Sequence, residues 1–553
     1  MTSIWAFVER LVPRGGTALV MLLLAIVVTP AEVGVYTLSM MLVMLVQTMT
    51  DGSVRGIAIS AVSTRKGRRF LRSYQRWASF LGTVVVAVGL LIIWMILDPQ
   101  LRPTVAGALP LVLMPTAAAV RVRATADLQI EGWWRSLARS QSIATFVSLA
   151  ISIPVLFATQ SIVASSLQAV LTEVIFSFLV LRSVSRVEVT LTEAQVLEGL
   201  KRRPRPEMVH ISGYQLLGWV QSQADRLLVG AFVGPGGLGQ WSFAQNIARA
   251  AGDSLAASTT NVLRPALFSG DDRSSREGGR QVLDRALIMV VVVEVIVVIV
   301  ALTLLPVLLD ADWDPAIHAV PMMALSCVVT TLNWSLSIYL LKADRIFFAS
   351  PIKVVGIVMA LPIALVAVHD FGLAAWMLLA RESVEALLLL IVISFVLMHS
   401  APGGPFTQER ALPPQVLANL DAKYGLDQPL AVQMWTYIVG ILTRFDFGPS
   451  FVYPDLSVND IIAQGFPVTL TYGAIGFSLS VLFGVILGII AAIRHNTWID
   501  TLAVGVSIGA QVLPNFVIAP ILVLVFTLWL RWLPGGGWGG WPYWVMQIGR
   551  AHV

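Results

Sequence analysis

Apolar runs of about twenty residues recur along almost the whole chain, and no other feature limits its fold so strongly. An α-helix rises about 1.5 Å per residue, so each run can cross the roughly 30 Å hydrocarbon core of a bilayer. Of the 553 residues, 57% are hydrophobic and only 12% are charged, which is too few to cover these runs in water. The sequence therefore predicts an all-α polytopic membrane protein.

Twelve spans are predicted before residue 400, and the charge of the loops predicts their orientation. The loops rich in Lys and Arg fall on one side, at 65–76, 121–123, 182–186 with 201–206, 271–280 and 342–345. TPAE, DPQLRP, ATQS, VGPGG, DADWD and HDFG fall on the other side and are nearly free of these residues. By the positive-inside rule, both ends of this unit are cytoplasmic. The predicted spans are 11–30, 33–51, 76–97, 105–124, 141–158, 161–182, 209–233, 236–260, 286–309, 317–341, 348–368 and 372–398.

An internal repeat without gaps supports this count. LLLAIVVTPAEVGVYTL aligns with LLVGAFVGPGGLGQWSF, and the alignment pairs Pro30 with Pro235 and Gly34 with Gly239. Each copy reads as a helix, an outer turn and a second helix. The repeat predicts a two-lobed bundle of six plus six helices, an arrangement that transporters use. The alternative is a chance likeness between two helical hairpins.

The region around the second copy resembles a known family. QADRLLVGAFVGPGGLGQWSFAQNIARAAG (223–252), followed by VLRPALFS (262–269), is similar to the start of the second half of polysaccharide and O-antigen flippases. These belong to the multidrug, oligosaccharidyl-lipid and polysaccharide exporter superfamily. The resemblance covers residues 1 to about 385, with halves of about 1–185 and 205–385. It implies that a sugar linked to undecaprenyl pyrophosphate crosses a bacterial inner membrane by alternating access of two helix bundles.

Five charged residues inside the predicted spans are candidates for the substrate path. A charge within a bilayer is unfavourable unless it faces a cavity or a partner. One interpretation is a positive lining for a pyrophosphate or an acidic sugar. The other is a set of Arg–Asp pairs that lock helices together, because two of the five lie one turn apart on one helix face. The candidates are Asp225, Arg226, Arg249, Asp253 and Lys353.

Glu173 and Glu294 are lone acidic residues in apolar runs and are candidates for proton or cation coupling. The alternative is a protonated carboxyl group that faces a neighbouring helix. Cys327 is the single cysteine, so neither a disulfide framework nor a Cys-based metal site can form within one chain. No metal or cofactor is expected. No nucleic-acid partner is expected either, because the net charge of +5 is small and lies in short loops.

Catalysis has little support in the sequence. GPGGLG at 234–239 fits G-x-G-x-x-G but follows a membrane helix instead of a strand, so it predicts a tight turn. Asp312 and Asp314 in DADWD could hold a metal with a sugar nucleotide, but they lie on the predicted outer face. No P-loop, HExxH or GxSxG pattern occurs. The expectation is a protein that is not an enzyme, with a membrane-embedded glycosyltransferase as an alternative.

The chain changes character after Ser400, where Pro, Gly and charged residues replace the apolar run. APGGPF, ERALPP, YGLDQPL, DFGPSFVY and SVNDII, followed by FPVTLTYGAIGFSLSVLFGVILGIIAAIRHNTWID, resemble the N-terminal part of oligopeptide ABC transporter permeases, over about 391–547. Segment 400–465 is predicted to be aqueous, and 466–494 and 500–532 to be two further membrane helices. The resemblance implies a peptide, a second permease subunit and ATPase subunits as partners. It ends before the loop that docks on the ATPase.

The two resemblances meet in one helix, at about 372–398. The first unit needs this helix to run inwards, whereas a permease needs it to run outwards, and one helix cannot satisfy both orientations. The seam is predicted at Arg381, Glu382 and Glu385. Our interpretation is that two partial transporters are joined in one reading frame. The alternative is a genuine fusion, an exporter with an accessory aqueous domain.

The last six residues, 548–553, form the strongly polar sequence IGRAHV after a turn rich in Gly and Trp. The codons ATC GGA AGA GCA CAC GTC encode it, and that string resembles a common sequencing adapter. We therefore expect this tail to be derived from an adapter, and His552 to be neither a ligand nor a base.

Overall fold

The computed structural model divides into two compact units, Met1–Ala401 and Pro402–Val553. The adapter-derived tail expected at 548–553 lies outside the described residues, as do the basic loop residues 201–203 and 343–345. The structure describes residues 2–52, 65–130, 133–184, 204–268, 272–342, 346–400, 428–448, 456–494, 497–498, 500–502, 505, 520–521 and 523–532.

Twelve long helices follow one another along the described part of the first unit. Short helical turns interrupt the series at Arg102–Ala106, Leu109–Leu113, Ala311–Trp313 and Ile346–Ala349. The helices are α1 (Thr2–Val27), α2 (Pro30–Gln47), α3 (Arg65–Ile96), α4 (Met114–Ile130), α5 (Trp134–Thr159), α6 (Val163–Val184), α7 (Pro204–Val233), α8 (Pro235–Phe268), α9 (Asp272–Leu308), α10 (Asp314–Lys342), α11 (Ser350–Ala367) and α12 (Phe371–Ser400).

The prediction of an all-α polytopic membrane protein is confirmed, and eleven of the twelve predicted spans each overlap one of these helices. The span expected at 105–124 is divided between the short turns Arg102–Ala106 and Leu109–Leu113 and the first part of α4. Several basic segments that were assigned to loops are helical, since residues 65–76 begin α3 and residues 272–280 begin α9. The triplet 121–123 was placed in a basic loop, but Arg121 lies in the middle of α4 and is buried. The loop assignment failed because a single ion pair on a neighbouring helix, described below, lets an arginine stay inside the bundle.

Local sequence explains where α2 and α8 begin. The Thr29 hydroxyl accepts a hydrogen bond from the Glu32 amide at 3.4 Å, and the Glu32 carboxylate accepts one from the Thr29 amide at 3.0 Å. This capping box, with Pro30 at the first helical position, fixes the start of α2. Gly234 joins α7 to α8 with φ of 90°, a conformation that glycine adopts without strain.

A continuous apolar core joins the two halves at the end of the bundle where α2 and α8 begin. Its largest fully buried side chains come from α8 and the turn that precedes α10, and include Trp241, Phe243 and Trp313. The rings of Phe243 and Trp313 lie 4.8 Å apart. Leu24 and Val33 from the first half belong to the same core and are also buried. Through α8, which contacts α1 and α2, the second half packs on the first.

The outer faces of several helices are apolar and exposed, as expected for surfaces that meet lipid. Ten helices in the described part of the chain are long and apolar enough to cross a membrane. Nine of them belong to the first unit. The remaining three helices of that unit, α7, α8 and α12, carry most of the charged side chains of the candidate site.

The second unit is described only in part. It contains α13 (Leu430–Arg444), α14 (Val458–Ile493) and a π-helical turn (Val523–Trp529). The aqueous segment expected at 400–465 includes α13, a helix that we did not predict, while its residues 401–427 lie outside the described part. The helix expected at 466–494 begins eight residues earlier, in SVNDII. Most of the helix expected at 500–532 also lies outside the described residues.

Candidate functional site

A cluster of charged and amide side chains lies inside the second half, where apolar helices would otherwise meet. Asp225 on α7 is almost fully buried and accepts a hydrogen bond from the Trp241 indole at 3.0 Å. It also accepts one from the Gln245 amide. Gln245 in turn accepts a hydrogen bond from Arg226 at 2.5 Å. Asp225 and Arg226 are therefore bound into the contact between α7 and α8.

Asp253 on α8 is shared between two arginines from different halves of the bundle. Its Oδ2 lies 3.1 Å from a terminal nitrogen of Arg14 on α1. Its Oδ1 lies 3.4 Å from Nε of Arg249, one turn earlier on α8. Arg249 also donates to the Thr330 hydroxyl at 3.2 Å and lies 3.9 Å from the Glu382 carboxylate. Arg14, Arg249 and Asp253 remain partly exposed, which distinguishes them from Asp225.

The three charged residues predicted to mark the seam on α12 belong to this cluster. Arg381 donates to the Glu382 carboxylate at 2.9 Å and lies 3.8 Å from that of Glu385. The Asn333 amide on α10 donates to the Glu382 carboxylate at 3.3 Å. The Gln221 amide on α7 donates to Glu385 at 2.6 Å. Up to Glu385, the side chains of α12 therefore fit partners from the preceding helices.

Lys353 on α11 lies beside this group. Its Nζ would be 3.0 Å from a methyl group added at Gly218 on α7, so it occupies the space that this glycine leaves. Its ammonium group interacts electrostatically with the Glu385 carboxylate. Lys353 is thus close to an acidic side chain that the sequence did not connect with it.

Glu294 on α9 is buried next to α8 and α10. Both of its carboxyl oxygens are buried, and they face Cys327 and the backbone of Gly252. One oxygen would be only 2.2 Å from a methyl group at Gly252, a position that Cys327 also crowds. Glu294 interacts electrostatically with Asp253 and Arg249, so it borders the charged cluster.

Glu173 on α6 is not a lone acid. Its carboxylate accepts a hydrogen bond from Arg121 on α4, and both side chains are mostly buried. The Arg121 guanidinium also lies 5.1 Å from the ring centre of Phe176. The sequence did not reveal this pair because Arg121 was assigned to a loop. Arg14 was missed as well, although an arginine within a run of spanning length is the signal that marks such a residue.

The cluster of the second half contains as many acidic as basic side chains, so it is not a simple positive lining. The basic members are Arg14, Arg226, Arg249, Lys353 and Arg381, and the acidic members are Asp225, Asp253, Glu294, Glu382 and Glu385. Within the described residues, no group of three His, Cys, Asp or Glu side chains is placed to hold a metal ion. Of the basic side chains in this cluster, Arg14 and Arg249, which share Asp253, are the most suitable for an anionic ligand. A guanidinium group binds phosphate oxygens in bidentate geometry.

Asp312 of DADWD lies in the turn before α10, and Asp314 is the first residue of that helix. The backbone carbonyl of Asp312 accepts a hydrogen bond from the Gln240 amide at 2.6 Å. Asp314 begins α10, where a carboxylate favours the helix terminus. Both residues therefore lie at the end of the bundle where α10 begins.

A bundle of twelve long helices, nine of them apolar enough to cross a membrane, with a charged interior is the architecture of a polytopic membrane protein. A MOP superfamily transporter from Pyrococcus furiosus has a similar fold, with a TM-score of 0.51 and 15% identity over 71% of this chain and 96% of that chain. The chain belongs to the polysaccharide biosynthesis protein family, whose model matches residues 23–318. It is a multi-pass inner-membrane protein.

The rest of the chain is similar to a different group of transporters. Models of binding-protein-dependent transport system membrane components match residues 376–473 and 484–549. The oligopeptide permease OppB of Salmonella typhimurium is 51% identical over 159 residues, 29% of this chain and 52% of the relative. The dipeptide permease DppB of Bacillus subtilis is 40% identical over 152 residues, 28% of this chain and 49% of the relative. The chain thus spans about half the length of these relatives.

The first of the permease models begins at residue 376, within α12. Segments of two transporter families therefore follow one another in a single chain, which confirms the composite character predicted from the sequence. The side chains of Glu382 and Glu385 nevertheless contact α7, α8 and α10 of the first unit. A helix that the permease model covers in part thus completes the polar cluster of the first unit.

Proposed function

We propose that residues 1–385 move an anionic, lipid-linked saccharide across the inner membrane, and that Arg14 and Arg249 bind its phosphate groups. The observation that carries this proposal is the shared carboxylate of Asp253, which lies within 3.4 Å of both arginines. One arginine comes from each half of the bundle. A ligand that binds both is therefore sensitive to the relative position of the halves, as alternating access requires.

Asp253 acts in this proposal as an internal substitute for the ligand. Two guanidinium groups inside a membrane need a counter-charge when no substrate is present. A phosphate or pyrophosphate group replaces the carboxylate by offering more acceptor oxygens in the geometry that guanidinium groups prefer. When the substrate leaves, Asp253 pairs with the arginines again, and the empty carrier is stabilised.

The other candidates have different roles in this proposal. Asp225 and Arg226 hold α7 against α8 through Gln245 and do not bind the ligand. Lys353 borders the path beside Glu385, where it favours an acidic sugar over a neutral one. Glu294 is the candidate for proton coupling, because a buried carboxyl group is neutral when protonated and can exchange its proton as its surroundings change. Glu173, paired with Arg121, is the weaker candidate for that role.

Binding of a polyprenyl diphosphate to the purified protein in detergent tests the phosphate site. Arg249→Ala is expected to weaken binding at least about tenfold, because a charged hydrogen-bonding partner is lost. Arg249→Lys should retain part of the affinity. Arg280→Ala is the matched control, since Arg280 forms an exposed pair with Asp284 four residues on, at 3.7 Å. Equal affinity in Arg249→Ala and Arg280→Ala would contradict the proposal.

We infer that the region from about residue 391 corresponds to part of an oligopeptide permease. A peptide path there requires a second permease subunit and ATPase subunits, as the similarity to OppB suggests. The test is uptake of an oligopeptide by a strain that lacks its own permease. Uptake is expected to stay at background when this chain is supplied without the partner subunits. Uptake at the level of an intact permease would contradict this inference.

We further infer that the two segments were joined artificially, with the seam just after Glu385. The support is that Glu382 and Glu385 fit partners of the first unit, whereas LLLLIVISFVLMHS resembles the first helix of a permease. Continuous single-molecule sequencing reads through the codons for 380–395 test this. Absence of such reads is expected. Their presence in independent clones would support the alternative, a genuine fusion.

A role without catalysis is part of the same proposal. The glycosyltransferase alternative depends on Asp312 and Asp314, which lie where α10 begins, and the carboxylate of Asp314 suits a helix N-terminus. Asp314→Ala is expected to leave any sugar-transfer signal of a membrane preparation unchanged. Loss of such a signal in this variant, at equal protein level, would favour the enzyme.

A further inference from the structure

The two copies of the internal repeat contact each other symmetrically, because the glycine of each copy faces the proline of the other. In each copy a proline begins a helix and a glycine follows four residues later, Pro30 with Gly34 in α2 and Pro235 with Gly239 in α8. A methyl group added at Gly34 would lie 1.9 Å from the carbonyl oxygen of Pro235. One added at Gly239 would lie 1.8 Å from the carbonyl oxygen of Pro30.

This reciprocal contact brings backbone against backbone. The methyl position at Gly239 is also 2.9 Å from the amide nitrogen of Gly34, so the first turns of α2 and α8 touch without any side chain between them. Glycine allows helices to approach in this way, and Cα–H groups facing carbonyl oxygens contribute weak hydrogen bonds. No solute can pass between the two helices where they meet.

The helix starts on both sides of the contact are held in place by other groups. The capping box of Thr29 and Glu32 fixes the first turn of α2. On the other side, Gln240 follows Gly239 and donates to the Asp312 carbonyl oxygen, while Phe243 packs on Trp313. Each helix start is therefore a rigid part of its own half, and the contact between them lies at the predicted outer end of the bundle.

We propose that this pair of proline–glycine turns is the outer gate of the transport path, closed in this structure and opened once in each cycle. The contact is well suited to the task because it is close but contains no ion pair. Weak backbone contacts that form between two rigid surfaces separate without leaving a buried charge unpaired. In this proposal, the two copies of the internal repeat form the two sides of the gate, one from each half.

The gate is tested by measuring how fast a cysteine beneath it reacts with a reagent added outside the cell. This measurement needs no substrate and is independent of the proposed phosphate site. The background is the Cys327→Ala chain with Ser242→Cys as reporter, because Ser242 is fully buried three residues after Gly239. Intact cells are treated with a membrane-impermeant maleimide. Gly34→Ala or Gly239→Ala is expected to raise the labelling rate at position 242 about tenfold or more, because overpacking of the contact shifts the population towards the open state.

Gly236→Ala is the matched control, since Gly236 lies in the same first turn of α8 and a methyl group there meets nothing within 4 Å. This variant should leave position 242 protected. Protection that persists in both Gly34→Ala and Gly239→Ala would overturn the proposal. The double variant should be labelled no faster than either single variant, because one methyl group already separates the contact. Rates that multiply in the double variant would mean two unrelated packing defects and would also overturn it.

A second reporter separates gate opening from unfolding. Ser335 on α10 is fully buried and lies far along the chain from the predicted outer end of that helix. With Ser335→Cys as reporter, Gly34→Ala and Gly239→Ala should leave the residue protected from the external reagent. Labelling at 335 as well as 242 would show a general loss of packing and would contradict a gate.

Discussion

Arg14 and Asp253 form an ion pair at 3.1 Å that joins the two halves of the first unit. Arg14 comes from the first helix of the chain and Asp253 from the helix that carries the second copy of the repeat. Because Asp253 also pairs with Arg249, a change in the relative position of the halves must alter the charge balance around both arginines. This link is the basis of the proposed phosphate site.

The ion pair should contribute little to stability, although it is central to the proposed function. The Arg14 side chain is 38% exposed, and exposed or partly exposed pairs contribute up to about 1 kcal/mol. A double-mutant cycle with Arg14→Ala and Asp253→Asn, measured by thermal unfolding in detergent, is expected to give a coupling no larger than that. A coupling of several kcal/mol would assign the pair a mainly structural role.

Asp225, by contrast, should be needed for the fold. Asp225→Ala removes the acceptor of the buried Trp241 indole and the Gln245 amide, and an unpaired buried donor is unfavourable by about 1–3 kcal/mol. Asp225→Asn keeps one acceptor oxygen and should be milder. The melting temperature measures both variants. Equal melting temperatures for Asp225→Ala and the parent chain would show that these hydrogen bonds contribute nothing.

Two glycines that face glutamate carboxylates should respond differently to alanine. At Gly252 the added methyl group would lie 2.7 Å from Cys327 Cβ, which cannot move without its helix. At Gly356 the close atoms are the ends of Glu385 and Gln221, which are flexible. Gly252→Ala is therefore expected to destabilise the chain by about 1–3 kcal/mol and Gly356→Ala by clearly less. The reverse order would contradict the packing described for α8, α9 and α10.

Much of the fold follows from the sequence, because spanning helices must be apolar over a fixed length. The twelve spans and the repeat around Pro30 and Pro235 both rest on this constraint and on turn residues that are local in sequence. The residues at which helices begin and end were less predictable. The helix before α4 is broken into two short turns near Gly107 and Pro110, and α3 begins in basic residues that were expected to form a loop.

The partners of the charged residues were less accessible to sequence reasoning. The pair of Arg249 and Asp253 is local, so helical spacing predicted it. The contacts of Asp253 with Arg14, of Glu173 with Arg121 and of Glu385 with Gln221 join helices that are far apart in the chain. Such contacts depend on which helix faces meet, and hydropathy does not contain that information. Arg381, Glu382 and Glu385 were consequently interpreted as a seam and not as part of the cluster.

Glu294 and Glu173 are expected to differ in a coupling assay. In liposomes with an imposed pH gradient, Glu294→Gln should abolish the response of transport to the gradient, because glutamine cannot release a proton. Glu173→Gln should keep the response and lower the melting temperature, since it weakens the ion pair with Arg121. A gradient response that survives in Glu294→Gln would remove this residue from the coupling mechanism.

Translocation of an anionic lipid-linked saccharide by the purified chain in liposomes tests the central claim most directly. The account predicts that the parent chain and Arg280→Ala transport at the same rate. Arg14→Ala and Arg249→Ala should each lose at least about tenfold at equal protein level, the effect of one charged contact. For a neutral lipid-linked saccharide, the transport rate of these variants should equal that of the parent chain. Transport of the anionic substrate at the parental rate in both Arg14→Ala and Arg249→Ala would contradict the account.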